Sequence, residues 1–282
     1  MKDKKVLVTG ASGFIGRNLV SLLTDKYEVY PLARKGAGLK NEIITDLTNA
    51  DFPRCLPKVG KVVHLGAKVA WGADIKKELF AVNVMATEKL AKWARDVGAQ
   101  FIFASTAIIF GSRNSRITSA SPLNLDTDYA YSKWLAEEAV RACGGRHTIL
   151  RIAGVFGQDG PAHLKINQSI SGALAGIPPV CYGAGSARRN YIYVKDLCRV
   201  IEHCCENSVE GSHLVAGSFT DTIARMLNII CATLLPGESP KFVGGKDGVD
   251  QVIEYSRVLP EARSFEDAVR EIKEEAQLRG RQ

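Results

Sequence analysis

The chain has 282 residues, 46% of them hydrophobic and 24% charged, which is enough apolar content for one large domain or a domain with a smaller lobe. Its net charge of +7 is spread along the chain without a basic tract or interleaved aromatics, so nucleic-acid binding is not expected, although a positive surface suits a multiply anionic small ligand. No apolar run approaches the roughly 20 residues of a bilayer span and "MKDKKVLVTG" lacks a signal peptide's long apolar region, so no membrane partner is expected and the cytoplasm is the expected location.

In chain order, short β-rich runs alternate with helical patterns. "KKVLVT", "EVYPLA", "NEII", "KVVHL", "QFIFAS" and "HTILRI" read as strands, with helices over stretches such as Asn18 to Thr24 and Leu79 to Arg95 between them. That alternation predicts an α/β doubly wound fold, a parallel sheet covered on both faces, over residues 1–157. Beyond Gly157, glycine and proline punctuate shorter elements such as "AGIPPV" and "YGAGSARRN", which predicts that 158–282 form mainly a smaller substrate-binding lobe, with later segments free to return to the first domain.

The first strand runs into "VTGASGFIGR", where Gly10, Gly13 and Gly16 precede a helix beginning near Phe14. Glycines permit the tight turn and close approach of backbone N–H groups to a pyrophosphate, and the helix N-terminus adds partial positive charge. A purely structural turn would use the same residues, but the strand–glycine–helix context favours a dinucleotide. At the end of the second strand an acid would read a free ribose 2′-hydroxyl; "PLARKG" instead offers Arg34 and Lys35. Cations there favour a 2′-phosphate, hence NADP as the preferred cofactor with NAD as the other choice, unless the pair is merely solvated.

Further along, "QFIFAS" delivers Ser105 and Thr106 to the carboxyl edge of the sheet, where a hydroxyl can bond a substrate oxygen or simply cap the strand. "DTDYAYSKWLAEEAV" then puts Tyr129 and Lys133 four residues apart on one helix face. A neighbouring ammonium stabilises a phenolate, which makes Tyr129 usable as a general base and, in reverse, as an acid. Tyr131 lies two residues from the lysine and is expected to face elsewhere. The seven cysteines contain no C-x-x-C pair and read as reduced core thiols, and the five histidines do not cluster at ligand spacing, so no metal is expected.

Together, T-G-A-S-G-F-I-G at Thr9 to Gly16, Asp46-Leu47, "HLGA" at His64 to Ala67, Asn83 in "VNV", "STAIIFG", Tyr129-x-x-x-Lys133, "LRIAGVFG" and "GALAGIPPVCYGAGSARRNYIYVKDL" resemble the extended short-chain dehydrogenase/reductases, in particular the nucleotide-sugar epimerase/dehydratase group. The resemblance extends to about residue 235 and implies a Rossmann-type sheet with a smaller C-terminal α/β lobe. It implies that Gly10, Gly13, Phe14, Ile15 and Gly16 hold the pyrophosphate and that Asp46 and Leu47 flank the adenine. Ala67, Asn83, Tyr129 and Lys133 would surround the nicotinamide. Thr106 would be the catalytic hydroxyl with Ser105 beside it, and Arg189 would grip the diphosphate of a nucleotide sugar through paired donors. The group's homodimers pair through two helices, here roughly Leu79 to Arg95 and Tyr129 to Ala142.

Several positions depart from the group's pattern. Its 4,6-dehydratases carry Asp-Glu after the threonine, where this chain has Ala107 and Ile108, so water elimination is unsupported. The cysteine of the fucose-type enzymes is also replaced by Ile108. Redox at one carbon remains, as a 4-epimerase or a 4-ketosugar reductase. Gly154 stands where the group has Asn, Asn190 where it has Asp, and Val194-Lys195-Asp196 where it has Val-Asp-Asp. Two alternatives stay open: a reductase of a carbonyl without a nucleotide, and a non-catalytic dinucleotide-binding sensor or scaffold.

Overall fold

The computed structural model describes residues 2–49, 51–69 and 76–280. The chain forms two compact units, each gathered from separated segments. Met1–Ser112, Pro122–Ile152 and Cys198–His213 make the first; Arg113–Ser121, Ala153–Leu197 and Leu214–Gln282 make the second. The chain thus leaves the first unit at Ser112, rejoins it at Pro122, leaves again at Ile152 and contributes Cys198–His213 to it later.

The first unit carries the Rossmann-type sheet. Its strands are β1 (Lys5–Thr9), β2 (Glu28–Ala33), β3 (Ile43–Ile44), β4 (Lys61–His64), β5 (Gln100–Thr106) and two further strands, His147–Ile152 and Gly211–Val215. The spatial order is Gly211–Val215, His147–Ile152, β5, β4, β1, β2, β3, and every pair from His147–Ile152 to β3 is parallel. Burial on both faces explains the near-continuous apolar runs: in β1 only Lys5 is partly exposed, and Phe101, Ile102 and Phe103 of β5 are buried. Helix α1 (Phe14–Leu23) packs over β1 and β2, and begins where the glycines predict.

The helix expected from Leu79 to Arg95 is interrupted. It consists of α2 (Lys76–Phe80), a π-helical turn at Ala81–Met85, and α3 (Ala86–Asp96). The wide turn buries Asn83, a polar residue that a regular amphipathic pattern gives no reason to bury. Helix α4 (Asp128–Ala142) packs beside α3 against β5, and its Thr127 N-cap accepts from the Ala130 N–H. Between β2 and β3 there is no helix; the loop closes on Glu42, whose carboxylate accepts the N–H groups of Ala37 and Gly38 at 2.9–3.0 Å.

The second unit is the smaller α/β lobe. It contains α5 (Lys165–Leu174), α7 (Ile223–Leu234) and α8 (Phe265–Arg279), and α6 (Val194–Asn207) starts in it. Its strands come in short pairs, including Val155–Phe156 with Ile192–Tyr193 and Arg188–Arg189 with Asp221–Thr222. Six cysteines are buried, but Cys55 is exposed, contrary to the core expectation, because its short turn Phe52–Cys55 buries Phe52 instead. Among the described residues no helix is long and apolar enough to cross a membrane, and no cluster of His, Cys, Asp or Glu forms a metal site.

Candidate active site

The glycine loop is built for close backbone approach. Gly10 has φ +69°, and a Cβ there would lie 2.8 Å from the Gly66 nitrogen; one at Gly16 would lie 2.2 Å from the Gly10 carbonyl oxygen. Gly13 is the N-cap of α1 and offers no side chain to the first turn, so the N–H groups of Phe14, Ile15 and Gly16 have neither a capping side chain nor an earlier helical carbonyl. These groups and the positive end of the helix fit a pyrophosphate.

Arg34 and Lys35 stand exposed just past β2. Asp46 accepts from the Thr48 N–H and hydroxyl at 2.8 and 2.7 Å, bonds that hold its carboxyl below the usual range, with the charge of Arg34 adding to the effect. Leu47 is buried and Ala67 exposed. Asn83 fixes the loop that carries Ala67: its Oδ1 accepts from the Lys68 N–H at 2.8 Å and its Nδ2 donates to the Lys68 carbonyl at 3.0 Å. Nδ2 also donates to Ser132 Oγ, which donates to the Tyr129 carbonyl, so one buried amide connects the Ala67 loop with the start of α4.

Tyr129 and Lys133 follow one another by a turn on α4. Burial pushes the Tyr129 phenol up to about 12, so it is protonated at neutral pH and ready to donate. Burial pulls the Lys133 ammonium down to about 7, a fall opposed by the charge of Glu137, and its Nζ rests 4.0 Å from the ring centre of Phe103. The relief of the phenol by the ammonium that the spacing suggests is not among the causes acting on Tyr129; desolvation dominates. Tyr131 is 42% exposed and stacks on Trp134, away from this pair.

Thr106 ends β5 and caps the short turn Ala107–Phe110, its Oγ1 accepting from the Ile108 N–H at 3.4 Å, which leaves its own proton to donate. Ser105 points inward: its hydroxyl donates to Glu137 at 2.6 Å. Thr106, Tyr129 and Lys133 therefore belong to one unit with the glycine loop, which brings together in that unit a phenol that stays protonated at neutral pH, a hydroxyl and a lysine that titrates near neutrality.

Three residues were not singled out by the sequence reading. Glu137, wholly buried, takes Ser105, both Nε and Nη2 of Arg151, and Arg141. Arg151 in turn lies over the Phe110 ring. The Lys133–Glu137–Arg141 spacing on one helix face was a usable signal. His64, also buried, bonds Thr9 through Nδ1 at 2.6 Å and Thr87 through Nε2 at 2.9 Å. Thr87 gives its proton to the Asn83 carbonyl, so Nε2 must carry the imidazole hydrogen and Nδ1 accepts from Thr9. Burial and the Lys133 charge hold His64 down at about 3, neutral throughout the ordinary pH range.

In the second unit, Arg189 Nη1 donates to the carbonyls of Arg188 and Val249 at 2.9 and 2.5 Å. Two departures from the family pattern have local explanations. Asn190 is buried and donates to the Gly217 and Ile253 carbonyls while accepting the Ile253 N–H, two donations an aspartate cannot make. Lys195 pairs with Glu271 and Glu275 of α8, and Asp196 holds Arg263.

Residues 6–217 match the model of the NAD-dependent epimerase/dehydratase family. The ADP-L-glycero-D-manno-heptose-6-epimerase of Thiobacillus denitrificans is 30% identical over 228 residues, 69% of this chain and 67% of that protein. The UDP-N-acetylglucosamine 4-epimerase of Methanobrevibacter ruminantium, solved with UDP-N-acetylmuramic acid, superposes with a TM-score of 0.84 at 27% identity, covering 97% of this chain and 98% of the other. The UDP-glucuronic acid 4-epimerase of Bacillus cereus, solved with NAD, shares the fold with a TM-score of 0.80 at 20% identity over 97% and 99% of the two chains.

Proposed function

The chain belongs to the NAD-dependent epimerase/dehydratase family, and from that premise we propose that it acts at C4 of a nucleotide-linked sugar, as a 4-epimerase or a 4-ketosugar reductase. The observation that carries this reading is a protonated Tyr129 one helical turn from Lys133, in the same unit as Thr106, with Ala107 and Ile108 where an eliminating enzyme needs its acid and base. Thr106 orients the C4 oxygen, and Tyr129 gives a proton to that oxygen as the carbonyl is reduced or takes it as the alcohol is oxidised. Lys133, titrating near neutrality, is suited to pass that proton on. The nicotinamide, when bound, supplies or accepts the hydride. Gly10, Gly13, Phe14, Ile15 and Gly16 hold its pyrophosphate, Asp46, Leu47, Ala67 and Asn83 bound its two ends, and Arg34 and Lys35 favour NADP, with NAD as the other possibility.

Arg189 binds the substrate's diphosphate. The protein works as a cytoplasmic homodimer paired through the helical stretches Leu79 to Arg95 and Tyr129 to Ala142, a choice supported by the exposed Met85 and Tyr131 on those stretches. The test is steady-state kinetics with nucleotide-linked 4-hydroxy and 4-keto sugars. Tyr129→Phe should lose about 10²-fold or more in kcat with cofactor binding intact, and Arg189→Ala should mainly raise KM. Near wild-type kcat in Tyr129→Phe overturns the mechanism. An unchanged KM in Arg189→Ala favours a carbonyl substrate without a nucleotide.

A further inference from the structure

Two arginines stand side by side at Arg188 and Arg189, and the second unit holds them differently. Arg188 is committed to a carboxylate: Asp250 Oδ1 accepts its main-chain N–H at 2.7 Å, while Oδ2 takes Nε and Nη2, each at 2.9 Å. Arg189 is held by carbonyls instead. Its Nη1 donates to Arg188 at 2.9 Å and to Val249 at 2.5 Å, which uses both hydrogens of that nitrogen. The Nε–Nη2 edge carries the donors whose spacing matches paired phosphate oxygens.

Val249 can hold the guanidinium only while its own segment stays in place, yet residues 246–250 form neither helix nor strand. Side chains fasten them to 183–189. On one side of Val249, Asp247 Oδ1 accepts the Gly185 N–H at 2.8 Å and Oδ2 accepts the Ser186 hydroxyl at 2.6 Å. Gly183 has φ +82°, and a Cβ there would lie 2.4 Å from Asp247 Oδ1, so the loop reaches that carboxylate through a glycine. On the other side, Asp250 grips Arg188, and the Gln251 N–H donates to the same Arg188 carbonyl that accepts Arg189 Nη1, at 3.0 Å. The 183–189 side is itself anchored. Arg188–Arg189 pairs with Asp221–Thr222, and the Ile223 and Ala224 N–H groups donate to Ala187 and Gly185 at 2.9 Å.

We propose that Asp247 and Asp250 are positioning residues for substrate binding: they pin 246–250 as a strap whose Val249 carbonyl aims the Arg189 guanidinium at the substrate's diphosphate. The inference rests on the nucleotide-linked reading of the substrate and deepens it. Charge alone makes the opposite demand. Both carboxyls are held below the usual range, Asp247 first by the Ser186 hydroxyl and Asp250 first by the Arg188 N–H, and two carboxylates beside an anion site would repel its ligand. The strap therefore predicts that removing either negative charge weakens the binding of a diphosphate.

Calorimetry gives the dissociation constants of UDP, dTDP, GDP, CDP and ADP for wild type, and the tightest of these is followed on Arg189→Ala, Asp247→Asn, Asp250→Asn and the double variant Arg189→Ala/Asp250→Asn. Arg189→Ala should weaken binding by about 30-fold or more. Asp250→Asn should weaken it by about 3- to 10-fold and Asp247→Asn by about threefold, although each removes a negative charge. In the Arg189→Ala background Asp250→Asn should cause no further loss, because both act through one contact. In kinetics each aspartate variant should raise KM and leave kcat within about twofold, a split that general loss of structure would not give. If Arg189→Ala weakens binding while both aspartate variants bind as tightly as wild type or more tightly, charge decides, the strap is wrong and the nucleotide reading stands. Unchanged binding in one aspartate variant removes that residue from the strap. A further loss from Asp250→Asn in the Arg189→Ala background also overturns the positioning role, since the carboxylate would then act without the arginine. If Arg189→Ala changes nothing, or wild type binds none of the five, the nucleotide reading falls and the strap with it.

Discussion

Ser105 donates its hydroxyl to Glu137 at 2.6 Å, which ties the end of β5 to the middle of α4 through a carboxylate with no exposed surface. Arg151 and Arg141 complete the coordination of that carboxylate. The residue beside Thr106 is thus held by a buried ionic cluster on the helix that carries Tyr129 and Lys133.

Removing Glu137 leaves the largely buried Arg151 without its carboxylate, whereas Arg141 keeps Glu138 and Ser212. Glu137→Leu is expected to lower the unfolding free energy by about 3–5 kcal/mol, the range for breaking a buried ion pair from one side. Urea unfolding followed by circular dichroism measures it. A loss below about 1 kcal/mol would mean that Arg151 reaches water without it.

His64 makes stability depend on acidity. Its folded-state pKa of about 3 lies below the ordinary 6.5, so the unfolded chain takes up the extra proton first. The stability it lends is fully present above pH 6.5 and is lost as pH falls toward 3, at about 2 kcal/mol between pH 6.5 and 5. Urea midpoints over this interval should fall in wild type and fall less steeply in His64→Asn. Parallel slopes would assign the acid sensitivity to other groups.

Lys133 costs stability because its charge is buried. With a folded-state pKa near 7 against 10.5 when unfolded, the unfolded chain binds more protons between those values, so the penalty is greatest at or below pH 7 and fades as pH rises toward 10.5. Lys133→Met should therefore raise the unfolding free energy by about 1–3 kcal/mol at pH 6, with a smaller gain at pH 9, while turnover falls by about 10²-fold. A variant less stable than wild type at pH 6 would show that the ammonium is well accommodated.

Cofactor choice is expected to depend on Arg34. Arg34→Ala should weaken NADP binding by about tenfold and leave NAD nearly unchanged. Fluorescence titration with both dinucleotides provides the ratio. Tighter binding of NAD by wild type, or an unchanged ratio in the variant, would make Arg34 a solvated loop residue.

The parts of this molecule that could be read in advance are those fixed by local chemistry. The strand ahead of Gly10, the helix at Phe14, and the four-residue step from Tyr129 to Lys133 are each encoded within a few residues. The π turn around Asn83 was invisible, because its reason lies in Lys68 and Ser132, fifteen residues before it and forty-nine after it. Gly154 could be read only as a departure, because its reason is the ring of Tyr191, whose Cδ1 would lie 2.7 Å from a Cβ at that position. The lowering of the Lys133 pKa depended on depth of burial, which spacing along α4 does not report.

The return of Cys198–His213 to the first unit has a consequence for how the protein is made. A ribosome delivers the chain from the N-terminus, so strand His147–Ile152 emerges well before Gly211–Val215, the neighbour that closes its outer edge. Through the synthesis of all of Ala153–Leu197 the nascent sheet carries an open, hydrogen-bonding flank, at about 5–20 residues per second for a matter of seconds. Newborn chains, rather than finished ones, are where this protein is most exposed to pairing with the wrong strand.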